Sequence, residues 1–144
     1  KYFASLVLIV IALIPTLFYV WSLGQLGETT NNLDYGSTFG SYLGAILLAM
    51  SYTAIGVFSS TVTSNQVVAF LLSAVLCFIL YFGFEGLSSY LSDSDFLASL
   101  GLKYHYESMA RGVIDTRDVI YFLSVAVLFF ALSEISLKLM FSKR

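Results

Sequence analysis

No aspartate, glutamate, lysine or arginine occurs from Tyr2 to Gly27, from Tyr35 to Phe84, or from Val119 to Ser133. Runs of that kind suit a solvent other than water, because a soluble domain must spread charge over its surface. Soluble chains carry roughly 25% charged and 45–50% apolar residues; this one carries 11% and 58%, with a mean hydropathy of +0.87. The same arithmetic excludes a disordered chain. Seven Lys and Arg against nine Asp and Glu, a net charge of -2, argue against a nucleic-acid partner. The partner the composition demands is a lipid membrane, and the fold class it predicts is an all-α polytopic membrane protein.

A helix needs about 20 apolar residues to cross about 30 Å of hydrocarbon. The first gap therefore holds one span, over about residues 3–23. The second gap, 50 residues long, is too long for one crossing and is broken at Ser59-Ser60-Thr61-Val62-Thr63-Ser64-Asn65-Gln66, a polar stretch that belongs at an interface. It divides into spans at about 39–60 and 66–84. In the third gap the apolar pattern continues past Glu134, which predicts a fourth span at about 117–141. The outer loop, 85–116, lies between the last two spans, and the whole chain reads as one transmembrane domain.

The apolar opening is too long for a secretory signal and ends in Trp21, Gly24 and Gln25, so it is a retained helix with Tyr19 and Trp21 in the aromatic belt. Pro15 inside it predicts a kink. A chain that begins at Lys1, two residues before a span, is expected to be a fragment of a longer protein. Four spans put both ends on one side. That side holds Lys1, Lys138, Lys143 and Arg144. The other holds Lys103, Arg111 and Arg117, along with Glu28 and Asp34 in its first loop and six acidic residues in its second. Counting Lys and Arg places both ends in the cytoplasm.

Gly36, Gly40 and Gly44 recur every four residues on the second span, followed on the same face by Gly56 and Ser60. Small residues let membrane helices approach closely, so this face packs either against the protein's own helices or against another subunit. The outer loop is long for a connector, which points to function. Its apolar residues, Leu87, Tyr90 and Leu91, then Phe96, Leu97, Leu100 and Tyr104, are spaced for two short amphipathic helices at or dipping into the membrane surface, with Gly83, Gly86 and Gly101 as breaks. The loop ends in a dense run whose Arg111, Gly112, Asp115, Arg117 and Asp118 are candidate functional residues. Asp115 can cap the next helix and Asp118 favours its positive N-terminus, so helix initiation accounts for much of this chemistry.

His105 with Glu107 lacks the third and fourth ligands of a zinc site, and an interfacial histidine with its hydrogen bonds satisfied is expected instead. Cys77, the lone cysteine, lies mid-helix as a small apolar side chain. No nucleophile stands beside a base, and no phosphate-binding loop is present; no catalytic, cofactor-binding or metal-ligating set emerges. Two carboxylates sit in or near spans, where an ionisable group is a functional candidate. Glu134 precedes Lys138 by four residues and can pair with it. Glu85 has no such partner in sequence and remains a candidate.

The stretches Ile11 to Val20, Gly40 to Ser60, Asn65 to Glu85 and His105 to Val125 together resemble the C-terminal part of ABC-2 type transporter permeases, specifically the gliding-motility-associated permeases of Bacteroidetes. The sharpest part is Arg111 to Phe122. The resemblance implies the last four helices of a six-helix permease in the bacterial inner membrane, with a separate ATP-binding subunit and a second permease subunit as partners. ATPase activity would then reside in that separate subunit, so this chain would not itself be an enzyme, and it would need no cofactor. The alternatives are another ABC-2 exporter permease, a non-transporting scaffold that assembles partners through the glycine face, and, with least support, an intramembrane enzyme.

Overall fold

A computed structural model describes residues 2–26, 34–91 and 95–142. Lys1, Glu28, Asp93, Lys143 and Arg144, which enter the charge count across the membrane, lie outside the described residues. Every described element is helical: α1 (Tyr2–Leu26), α2 (Tyr35–Val62), α3 (Gln66–Phe78), a π-helical turn (Ile79–Gly83), α4 (Phe84–Tyr90), α5 (Asp95–Ala98), α6 (Leu102–Ala110) and α7 (Thr116–Ser142). Four stretches are long and apolar enough to cross a bilayer: Tyr2–Gln25, Tyr35–Val62, Gln66–Tyr90 and Thr116–Met140. The protein is an all-α polytopic membrane protein with the four crossings expected.

The boundaries follow local chemistry. Asp34 caps α2 by accepting from the Ser37 amide at 3.1 Å, which starts that helix four residues before the expected Phe39. Asn65 caps α3 through the Val67 amide, so the α2–α3 turn shrinks to Thr63, Ser64 and Asn65 inside the polar break. α1 runs as one helix through Pro15.

The third span differs from expectation. It does not stop at Phe84: the helix widens into a π turn and continues to Tyr90. Gly83 and Gly86 are therefore helical residues, not breaks. Glycine lowers helix propensity in water, but in a membrane the unsatisfied backbone of a broken helix costs more, so the helix carries on. Gly101 alone of the three marks a break, as the residue preceding α6.

α2 is the centre of the bundle and packs against α1, α3, α6 and α7. Its long contact is with α7. Leu47, Ser51, Ala54, Ile55 and Ser59 on α2 and Phe122, Ala126, Phe129 and Ser133 on α7 are all buried, each set recurring along one face of its helix. The buried hydroxyls are satisfied within their own helices, Ser51 on Leu47, Ser59 on Ile55 and Ser133 on Phe129. Ser51 also donates across the interface to the Phe122 carbonyl at 3.1 Å, and Ser136 to that of Thr61 at 3.3 Å.

Candidate functional site

Between the last two spans the chain makes a helical hairpin in which α5 lies against α4 and α6 returns into the bundle against α2 and α7. Leu102 and Met109 of α6 are fully buried with Leu47 of α2 and Phe122 of α7. Short helices in the outer loop were expected, but Leu87, Tyr90 and Leu91 belong to the prolonged third span and its end, and Phe96 to Tyr104 divides at Gly101 into α5 and α6. What seats α6 is the glycine face of α2. A methyl added at Gly40 would come to 2.2 Å of the Met109 carbonyl oxygen, and one at Gly44 would meet Met109 and Tyr106 at 3.3 Å. Gly112, just past α6, has φ +85° and would press a side chain against the backbone of Gly36 and Ser37; both its conformation and its space require glycine. Of the two roles open to the glycine face, packing within the chain is thus filled at Gly40 and Gly44. Gly56 has open space around it.

A helix buried within the bundle must satisfy its loose backbone groups with protein. The end carbonyl of α6, at Ala110, accepts from Ser37 at 2.6 Å and from Ser41 at 3.5 Å. The non-helical carbonyls before α6 are also taken. Ser99 O lies 2.8 Å from His105 Nε2, and Leu100 O accepts the Tyr121 hydroxyl. These bonds tie the hairpin to α2 at its end and to α7 at its start.

His105 and Asp118 form the centre of the site. The imidazole Nδ1 is 2.7 Å from Asp118 Oδ1, and the two residues are 4% and 3% exposed. Tyr121 lies flat on the ring with centroids 3.9 Å apart, and Tyr104 meets its edge. Among the described residues, the buried Asp118 Oδ2 has no hydrogen-bond partner. Asp118 is therefore not merely a helix-start residue: its carboxylate reaches back to α6. Asp115 is the cap, accepting from the Arg117 amide at 3.1 Å. A histidine with its hydrogen bonds satisfied is as expected, and the partner it finds is Asp118, thirteen residues on.

Glu85 also acquires a partner that its helix-spaced neighbours do not supply. Lys103 reaches it at 2.7 Å and Glu107 at 3.6 Å, clipping α4 to α6 at an exposed surface. The hydrogen bond to Glu85 raises the Lys103 ammonium above its ordinary value of 10.5. The bridge is thus in place at neutral pH and is lost as pH climbs beyond that value. Glu134 and Lys138, by contrast, form no ion pair among the described residues; both are exposed. Long side chains at a helix end lose more freedom by pairing than exposed charges return. Arg111 and Arg117 are exposed, Arg111 bonding the Glu107 carbonyl at 3.2 Å.

Glu85, Gly112, Asp115 and Asp118 thus all belong to the hairpin and its fastenings. Ser37, Ser99 and Tyr121 complete them, and hydroxyls so common in this chain carried no signal of that role in sequence. Among the described residues no three His, Cys, Asp or Glu side chains are placed to hold a metal ion. No protein family, curated protein or solved structure matches this chain.

Proposed function

We propose that this chain is the membrane-spanning permease subunit of an ATP-driven transporter of the ABC-2 type, serving bacterial gliding motility and the secretion linked to it. It works in the inner membrane with a separate ATP-binding subunit and a second permease subunit, its ends facing the cytoplasm. The observation that carries the reading is the architecture of its second half: a short helical hairpin folded into the bundle between the last two of four spans, on the side away from the ends of α2 and α7. The resemblance from Arg111 to Phe122 falls on the turn and helix that fasten that hairpin. In this reading α2, α6 and α7 move as one body when the ATP-binding subunit closes, because their contacts are backbone-close and hydrogen-bonded. The scaffold alternative drew on the glycine face, of which α6 already occupies Gly40 and Gly44.

The test is purification of the full-length protein from its native membrane in mild detergent, followed by an ATPase assay. An ATP-binding subunit is expected to co-purify, with hydrolysis stimulated by the permease. Isolation without any nucleotide-binding partner sinks the reading.

A further inference from the structure

His105 faces two acceptors at once. The Ser99 carbonyl has no hydrogen to give, so Nε2, 2.8 Å away, must donate to it. Nδ1 stands 2.7 Å from the Asp118 carboxyl, a separation that requires a proton between the two atoms, carried by the ring or by the acid. Either way the pair holds one proton more than a neutral imidazole beside a carboxylate, and is net neutral. Without that proton, one of the two contacts sets lone pair against lone pair in a buried site.

The neighbours offer no substitute. From α7, Tyr121 stacks on the ring with its hydroxyl given to Leu100, and Arg117 and Asp115 are exposed. On α6, Tyr104 meets the ring edge-on, and Lys103 is engaged by Glu107 and by Glu85 of α4. Tyr106 packs toward α2 and Arg111 is exposed. α2 carries no acid, base or histidine, its titratable groups being Tyr35, Tyr42 and Tyr52. Tyr81, in the π turn, packs on the same core.

From this we infer that His105 and Asp118 form a buried site for a single proton, and that the proton keys the docking of the α5–α6 hairpin onto α7. The two ends of α6 are held differently. Its last turn is pinned to α2 by the Gly40–Met109 approach and the Ser37–Ala110 bond, neither of which contains a titrating group. Its first turn is held to α7 through the His105–Asp118 pair and the Tyr121 contacts. Loss of the proton swings the Ser99 end off α7 about the pinned end. Lipid tails then cover Leu102, so little apolar attraction opposes the movement.

The sign follows from proton counting. The docked arrangement contains one proton more than a neutral imidazole beside a carboxylate, so rising pH favours release. This site stands whether or not an ATP-binding subunit exists.

Asp118→Asn provides the discriminating variant. An amide can donate to Nδ1 of a neutral ring while Nε2 donates to Ser99, so docking no longer needs the extra proton. The experiment places spin labels at Phe96→Cys and Leu128→Cys, both exposed sites, in a Cys77→Ser background in lipid nanodiscs, and reads the distance distribution from pH 5.5 to 9. The wild-type background is expected to show one distance at low pH and a growing longer one above neutrality, while Asp118→Asn keeps the short distance throughout. A wild-type distribution that does not change with pH, or one that changes equally in both proteins, overturns the inference. Should Asp118→Asn fail to fold, ¹⁵N-histidine and ¹³C-aspartate spectra of the otherwise native chain decide: the bridging proton must remain on Nδ1 or on the Asp118 carboxyl for as long as the short distance persists. A docked pair made of a neutral imidazole and an ionised Asp118 overturns it equally.

Discussion

α1 and α7 have nearly the same length and both lie against α2, yet they are held in opposite ways. α7 buries Asp118, Phe122, Ala126, Phe129 and Ser133, while no described residue of α1 is buried. Composition explains the difference. Lipid tails are as apolar as leucine, so apolar surface alone draws no helices together in a bilayer; close packing and hydrogen bonds do. α7 meets α2 with serine, alanine and phenylalanine in register, and with α6 wedged on glycines. α1 presents Leu13, Leu17 and Trp21 to Tyr35, Phe39 and Tyr42, and a groove of about 590 Å³ stays open between them. Its ties include the Tyr42–Thr16 bond at 2.8 Å, the longer Tyr2 bond to Met50 at 3.3 Å and a ring contact of Tyr2 with Phe130. The more hydrophobic helix is the looser one.

The sharpest way to break this contrast is at the buried pair. His105→Ala leaves the Asp118 carboxyl buried without its partner and should cost about 3–5 kcal/mol, measured as unfolding free energy in mixed detergent micelles. Gly40→Ala drives a methyl against a backbone oxygen that has no rotamer to yield, and about 1–3 kcal/mol or more is expected. The accompanying sign is exposure of α6, read by protease cleavage near Arg111. On the loose side, Tyr42→Phe removes the clearest polar tie of α1 and should cost about 0.6 kcal/mol, the usual worth of a hydrogen bond between membrane helices. A loss as large as that at Gly40 would show that α1 is no looser than α7. Least of all, Gly56→Ala fills open space and should stay within about 0.5 kcal/mol of the parent; contrary to the expected common face, Gly56 turns toward Ser5 and Ile9 of α1 while Gly40 meets α6.

Much of the fold was legible because charge and polarity are local signals. The charge-free runs located the spans, the Ser59 to Gln66 stretch located the turn, and Asp115 declared itself as a cap. The site was not legible, because its partners are brought together by chain reversal. His105 finds Asp118 thirteen residues on, across the left-handed turn at Gly112, and Glu85 finds Lys103 across α5. The helix neighbour rule instead pointed to the Glu134–Lys138 pair, whose residues are exposed and unpaired among the described residues. The four-residue glycine spacing announced a close approach without naming the helix that makes it. Where the third span ends was misread at Gly83 and Gly86, since glycine's reputation as a helix breaker comes from water.

The bonds that fasten the wedge also set the order in which the protein can be built. Ser37 and Ala110 are 73 residues apart in the chain, and Ser51 and Phe122 are 71 apart. At ordinary rates of synthesis that separation is on the order of several seconds. Throughout that interval α2 stands in the membrane with its glycine groove unfilled, a surface that any passing helix of suitable shape can occupy. Biogenesis of this protein therefore contains a waiting period, and the quality-control machinery of the membrane has its best opportunity before α7 arrives.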